Sequence, residues 1–155
     1  MSGKPGQLII YTIGHSNRSI EDFVSLLKEN RINLVVDIRR FPTSKWEWFK
    51  RENLEKTLSE NGIGYIYLGD LLGGFRREGF RKYMETEEFK KGIMKVMELA
   101  KRHNLALMCA EKIVFRCTRL SISRRLEELG VRVIHIVNHN RSFELRSLKY
   151  REQKP

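Results

Sequence analysis

Short apolar runs alternate along this chain with longer stretches in which apolar residues return every three or four positions. The first pattern belongs to strands covered on both faces, the second to helices that lay one face on a core. Leu8 to Ile13 is the first run and stops at Gly14; Leu34 to Ile38, Tyr65 to Leu68, Leu105 to Cys109 and Val131 to Val137 follow. A helix is predicted after Ser19, where Asp22 completes a capping-box spacing and Ile20, Phe23, Leu26 and Leu27 share a face. Arg51 to Glu60 is a second, stopped at Asn61-Gly62. Thr86 reads as the N-cap of a third, with Glu87 and Glu88 in its first turn and Phe89, Ile93, Val96, Met97 and Ala100 on its apolar face. The fourth runs from Thr118 or Ser121 to Leu129 and closes at Gly130.

Strands separated by helices imply right-handed crossovers. The expected fold is therefore α/β: a mainly parallel, about five-stranded sheet, Rossmann-like or flavodoxin-like, with helices on both faces. Residues 1–155 read as one α/β domain, with 141–155 as a charged C-terminal extension. Gly69 to Gly79, including Leu72-Gly73-Gly74-Phe75-Arg76-Arg77, lacks apolar periodicity and reads as a functional loop.

In such a sheet the C-terminal ends of the strands share one edge, so residues far apart in sequence converge there. The first strand runs into Gly14-His15-Ser16-Asn17, the second into Asp37 and Arg39-Arg40, the third into Gly69-Asp70, the fourth into Cys109-Ala110-Glu111 and the fifth into Asn138-His139-Asn140. Asp37 and Glu111 are candidate catalytic carboxylates, because a carboxylate at the end of a buried strand is costly unless it is used or paired. Pairing with Arg39 is the plain alternative for Asp37. His15 is a candidate acid–base group, its alternative being a turn residue. His139 is a weaker candidate.

The charge balance widens the picture. With 30 Lys and Arg against 19 Asp and Glu, the net charge is +11 and the pI near 9.9, which favours polyanionic partners. A heat-adapted, ion-paired surface is the alternative. Arg39, Arg40, Arg76 and Arg119 are candidate phosphate clamps, and Gly73-Gly74 lets backbone amides approach an anion. Trp46 and Trp48, set among Lys45, Lys50 and Arg51, either stack on bases or staple their loop to the core. Neither a P-loop nor a dinucleotide fingerprint is present, so no cofactor is expected. DNA, RNA or a nucleotide is the expected partner, and exposed aromatics are equally compatible with a homo-oligomer. No run approaches a membrane span, and the start lacks a signal-peptide core, so a cytoplasmic protein without a membrane partner is expected.

The two cysteines, Cys109 and Cys117, suit a reducing compartment and match no zinc spacing, so no metal is expected. Cys109 reads more readily as a small buried hydrophobe than as a nucleophile. Cys117, flanked by Arg116 and Arg119 at a helix start, sits where a thiolate is stabilised.

Taken in order, Tyr11 to Ser19, Val36-Asp37-Ile38-Arg39 with Pro42 and Ser44 nearby, Leu72-Gly73-Gly74, Tyr83-Met84 and Leu107 to Glu111 resemble the family called domain of unknown function 488. The resemblance runs from about Ile10 to Ile136 and names no reaction. The family pattern has Cys-His-Arg after Cys-Ala-Glu, whereas this chain reads Cys117-Thr118-Arg119. Thr118 cannot take a proton from Cys117 as imidazole does, though it suits a helix N-cap.

Three functions are consistent with these features. The favoured one is a hydrolase or N-glycosidase acting on nucleic acid or a nucleotide, with Asp37 and Glu111 as the carboxylate pair and arginines holding phosphate. A non-enzymatic DNA- or RNA-binding module is the alternative. Thiol chemistry through Cys109 or Cys117 is the third.

Overall fold

The computed structural model describes residues 6–145. Six strands form one sheet: β1 Ile9–Gly14, β2 Leu34–Asp37, β3 Gly64–Tyr67, β4 Leu105–Cys109, β5 Arg132–Asn138 and β6 Arg141–Phe143, in the order β3-β2-β4-β1-β5-β6. The first five pair in parallel, as their apolar composition predicts. β6 is a sixth, antiparallel strand that returns against β5. The start of the expected C-terminal extension is thus built into the sheet edge; a three-residue strand rich in polar residues carries no readable alternation. Residues 146–155 of that extension lie outside the described residues.

Six helices connect the strands: α1 Ile20–Glu29, α2 Arg51–Glu60, α3 Gly69–Leu72, α4 Phe80–Tyr83, α5 Glu87–Ala100 and α6 Arg119–Glu128. Two of the expected caps are made: Ser19 Oγ accepts from the Asp22 N–H at 3.0 Å, and Thr86 Oγ1 from the Phe89 N–H at 3.3 Å. The stretch 69–79, expected to be loop throughout, begins instead with α3, because Leu72 is fully buried against the α5 side of the core. One helical turn is too short to show a period.

Alternate residues of the central strands feed two cores. Val35, Ala106 and Met108 meet Phe23, Leu26 and Leu27 of α1 and Leu54 and Leu58 of α2 on one face. Leu34, Val36, Leu105 and Leu107 meet Phe89, Ile93 and Val96 of α5 and Ile122 and Leu126 of α6 on the other. Each such side chain contributes about 1.5–3 kcal/mol by leaving water, so both faces are firmly fixed.

This winding positions the site. β2 passes the chain outward to β3 over one face, whereas β4, its neighbour, passes it back toward β5 over the other. The two connections part beyond the C-terminal ends of β2 and β4 and leave a crevice there.

Candidate functional site

Asp37 closes β2 and is 0% exposed. Its Oδ1 accepts from the Arg39 N–H at 3.1 Å and from Arg39 Nε at 2.9 Å. Its Oδ2 accepts from Arg39 Nη2 at 2.8 Å and from the Tyr65 hydroxyl at 2.5 Å. The remaining guanidinium nitrogen, Nη1, donates to the Phe49 carbonyl at 2.7 Å and lies 3.4 Å from His15 Nε2. Both oxygens of Asp37 are therefore committed to a closed network, and burial with the adjacent carboxylate holds the Tyr65 hydroxyl well above its ordinary range. This geometry matches the alternative of pairing with Arg39: Asp37 is the counter-charge beside the buried guanidinium. Arg39 in turn is committed to Asp37 and Phe49 rather than free to clamp phosphate.

His15 follows β1 and stacks on Phe49 with ring centroids 4.3 Å apart. Its Nδ1 lies 2.9 Å from the Ser16 carbonyl, an oxygen that can only accept, so Nδ1 carries the proton. Burial, opposed by this hydrogen bond and reinforced by Arg39, lowers its pKa to about 4. A neutral imidazole follows at physiological pH, suited to positioning the Arg39 network.

At the end of β4 the chain bends sharply. A Cβ at Gly14 would run into the Glu111 carbonyl, so only glycine lets β1 end so close to the turn beyond β4. Past Ala110 the Glu111 side chain is exposed. The burial expected of this carboxylate is not found. Its carboxylate makes no hydrogen bond or ion pair among the described residues, and it stands at the rim of the crevice.

A single 3₁₀ turn, Val114–Arg116, then folds the chain back and brings Cys117 beside Cys109. Cys117 is extended (φ −135°, ψ 152°), and its Sγ accepts the Arg119 N–H at 3.4 Å. The sulfur thus does the capping work expected of Thr118, whose side chain makes no cap bond. Cys109 is buried, which raises the pKa of its thiol, and its S–H donates to the Glu111 carbonyl at 3.5 Å. The neighbouring Cys109 thiol first, then the Arg119 N–H and guanidinium, lower the Cys117 pKa to about 6 against the desolvation of its burial.

Arg119 is 1% exposed and reaches under the turn. Nη1 donates to Thr12 Oγ1 at 3.0 Å, and Nη2 to the carbonyls of Glu111 at 2.9 Å and Lys112 at 3.2 Å. It therefore fixes the turn and supplies buried positive charge near Cys117, in place of the phosphate contact expected of it. Nε makes no hydrogen bond. Thr12 Oγ1 also lies 2.6 Å from Nδ1 of buried His135, whose pKa burial and then Arg119 lower to about 3.

The crevice between β2 and β4 is a cavity of about 340 Å³ lined by Ile38, Arg39, Arg40, Phe41, Thr43, Gly74, Phe75, Cys109, Ala110, Glu111, Arg116, Cys117 and Thr118. Arg40 and exposed Arg116 carry no ion pair among the described residues, so they are the guanidiniums available to an anion. Arg116 was legible only through its place beside Cys117. A second cavity on the same edge, of about 430 Å³, is lined by His15, Ser16, Asn17, Ser44, Lys45, Trp46 and Ala110. Ala110 borders both.

Other expected contributors are elsewhere engaged. Arg76 donates to the carbonyls of Gly73 at 2.8 Å and Asp70 at 2.6 Å and stacks 3.8 Å from the Tyr83 ring, so it pins its own loop rather than a phosphate. A Cβ at Gly73 would meet the Arg40 backbone at 2.6 Å; this glycine serves close packing of α3, while Gly74 borders the cavity. Trp46 and Trp48 both pack on the α1–α2 core, and Trp48 also donates from Nε1 to the Arg18 carbonyl at 2.9 Å, so the pair staples its loop. His139 bridges Asp22 at 2.7 Å and Glu29 at 2.9 Å on the surface.

Fold and site together define a parallel-sheet α/β protein with an arginine-rimmed thiol cavity at the C-terminal edge of its sheet. The chain belongs to the family described as Domain of unknown function DUF488, whose model matches residues 19–126. No curated protein and no solved structure matches it. Among the described residues no group of three His, Cys, Asp or Glu side chains is arranged to hold a metal ion, and no helix is long and apolar enough to cross a membrane.

Proposed function

We propose that this chain is a thiolate-dependent hydrolase of nucleotide or nucleic-acid substrates, with Cys117 as nucleophile. One observation carries the reading: Cys117, whose sulfur accepts the Arg119 N–H at 3.4 Å, lines the same cavity as Arg40 and Arg116, which carry no ion pair among the described residues. A thiolate is the reactive form of cysteine, and the surroundings of Cys117 lower its pKa toward that form. Arg40 and Arg116 bind substrate phosphate through paired N–H donors.

The Cys117 sulfur attacks the electrophilic atom of the substrate, and the bond to the leaving group breaks with its electron pair passing to that group, which takes a proton from water. Glu111, free at the rim, then draws a proton from a second water, which attacks the same atom as the bond to sulfur breaks and its electron pair restores the thiolate; Glu111 passes its proton to the hydroxide left by the first step. Arg39 borders the cavity, held by Asp37 and the Phe49 carbonyl, and Asp37, Tyr65 and His15 take no part in bond making. The carboxylate-pair glycosidase mechanism gives way to this one because all the bonding capacity of Asp37 is committed.

The test is a turnover panel of phosphomonoesters, nucleotides and oligonucleotides. Wild-type activity is expected to fall by about a thousandfold or more in Cys117→Ser and to fall less in Glu111→Gln. Turnover retained by Cys117→Ser refutes the mechanism. A second reading, binding without chemistry, draws on the unpaired cations and predicts no turnover with full binding by Cys117→Ser.

A further inference from the structure

Two aromatic rings beside the thiol cavity are unexplained by folding. Phe75 is 86% exposed and Phe41 60% exposed, with ring centroids 5.8 Å apart, and both border the cavity. Exposed phenyl rings gain nothing from the hydrophobic effect while they face water. Phe75 is moreover held at φ +59°, a left-handed conformation that costs a non-glycine residue of order 1 kcal/mol or more. The guanidinium of Arg40 sits 5.9 Å from the Phe41 ring.

The same arrangement recurs across Ala110. Half-buried Trp46 borders the second cavity, with Lys45 Nζ 5.2 Å from its ring. Residues 41–46 run from one cavity to the other, so aromatic faces and cations line the sheet edge in alternation. Lys45, like Arg40 and Arg116, carries no ion pair among the described residues.

We infer that single-stranded nucleic acid is the substrate class, one base stacking on the Phe41–Phe75 pair and another on Trp46, with the phosphates between them over Arg40, Arg116 and Lys45. Aromatic platforms beside backbone-tracking cations suit unpaired bases, whose π-faces are open, and not the stacked bases of a duplex. The chain's charge of +11 favours the same polyanion. This inference rests on the proposed reading for the role of Cys117, which lines the same cavity as Phe41 and Phe75.

Fluorescence anisotropy of labelled oligo-dT and oligo-U strands, against a duplex of the same length, tests it on the full chain. Both single strands are expected to bind at least about tenfold tighter than the duplex, and the DNA and RNA arms rank the two sugars. Phe75→Ala, fully outside the core, and Trp46→Ala, with an unchanged far-UV spectrum as its folding check because Trp46 also packs on the core, are each expected to weaken single-strand binding about fivefold to hundredfold. Equal binding of duplex and single strand, or unchanged binding by Phe75→Ala and Trp46→Ala, overturns the inference. If the strands fail to bind but inorganic pyrophosphate still slows alkylation of Cys117, the inference falls and the thiolate reading stands. If the strands bind but Cys117 alkylates only at ordinary thiol pH, the thiolate reading falls, and with it the substrate role of the bound strand.

Discussion

Replacing Cys109 by Ala removes the neighbouring thiol, the first cause of the lowered Cys117 pKa, together with its 3.5 Å hydrogen bond to the Glu111 carbonyl. A hydrogen bond to a charged acceptor contributes about 1.5–3 kcal/mol, and a thiol is a weak donor, so roughly 1.4 kcal/mol is the expected loss. At 1.36 kcal/mol per tenfold change in acidity, the Cys117 ionisation midpoint moves from about 6 to about 7. The assay is the pH dependence of iodoacetamide alkylation at Cys117, read by peptide mass mapping in reductant. In the wild type a midpoint near 6 leaves about half the thiolate at pH 6, against about 0.1% for an ordinary thiol of 9.0. Lower basicity reduces intrinsic nucleophilicity about twentyfold to thirtyfold, leaving Cys117 roughly twentyfold faster than a free thiol at that pH. Cys109→Ser keeps a donor, now an O–H, and keeps the midpoint at or below about 6. A Cys109→Ala midpoint equal to that of the wild type would show that the neighbouring thiol does not stabilise the thiolate.

Other expectations follow from the buried groups. Asp37→Asn leaves Arg39 buried without its counter-charge and is expected to cost about 3–5 kcal/mol, lowering Tm by about 10 °C; a smaller loss than about 1 kcal/mol in chemical denaturation contradicts the closed network. His135 has its folded pKa lowered to about 3, so protons bind the unfolded chain more readily, and stability falls as pH drops from about 6.5 toward 3. Thermal melts of His135→Phe should show a flatter acid limb than the wild type over that window, and an identical slope refutes the assignment. His139 is the opposite case: Glu29 and then Asp22 raise its folded pKa, so its contribution is full below about 6.5 and is lost as pH rises through the raised value. His139→Gln should remove that pH dependence from hydrogen exchange in the β5–β6 turn, and an unchanged profile counts against the bridge.

The layering of the molecule was readable from local pattern because each strand is a continuous apolar run and each helix carries its own cap, as at Ser19 and Thr86. Insertion of β4 between β2 and β1 was not readable, since parallel register is set by packing between segments far apart in sequence. The convergence of strand ends followed from parallelism alone, so the neighbourhood of the site was legible while its internal division of labour was not. Asp37 and Glu111 look alike as carboxylates after apolar runs. One is sealed by Arg39 and Tyr65 and the other is left in water because of a bend that the Gly14 contact permits. Cys109 and Cys117 meet only because the Val114–Arg116 turn doubles the chain back, a geometry without a hydrophobic period to announce it. The thiol chemistry ranked third on sequence thereby becomes the reading with the most geometry behind it.

Anion protection of Cys117 tests most directly whether thiolate and arginines form one site. Alkylation at pH 7 should be slowed at least about tenfold by a saturating nucleoside diphosphate, and Arg116→Ala should abolish most of that protection without moving the Cys117 ionisation midpoint by more than a few tenths. Alkylation unaffected by the nucleotide at any concentration would separate the thiolate from the arginines and contradict the account.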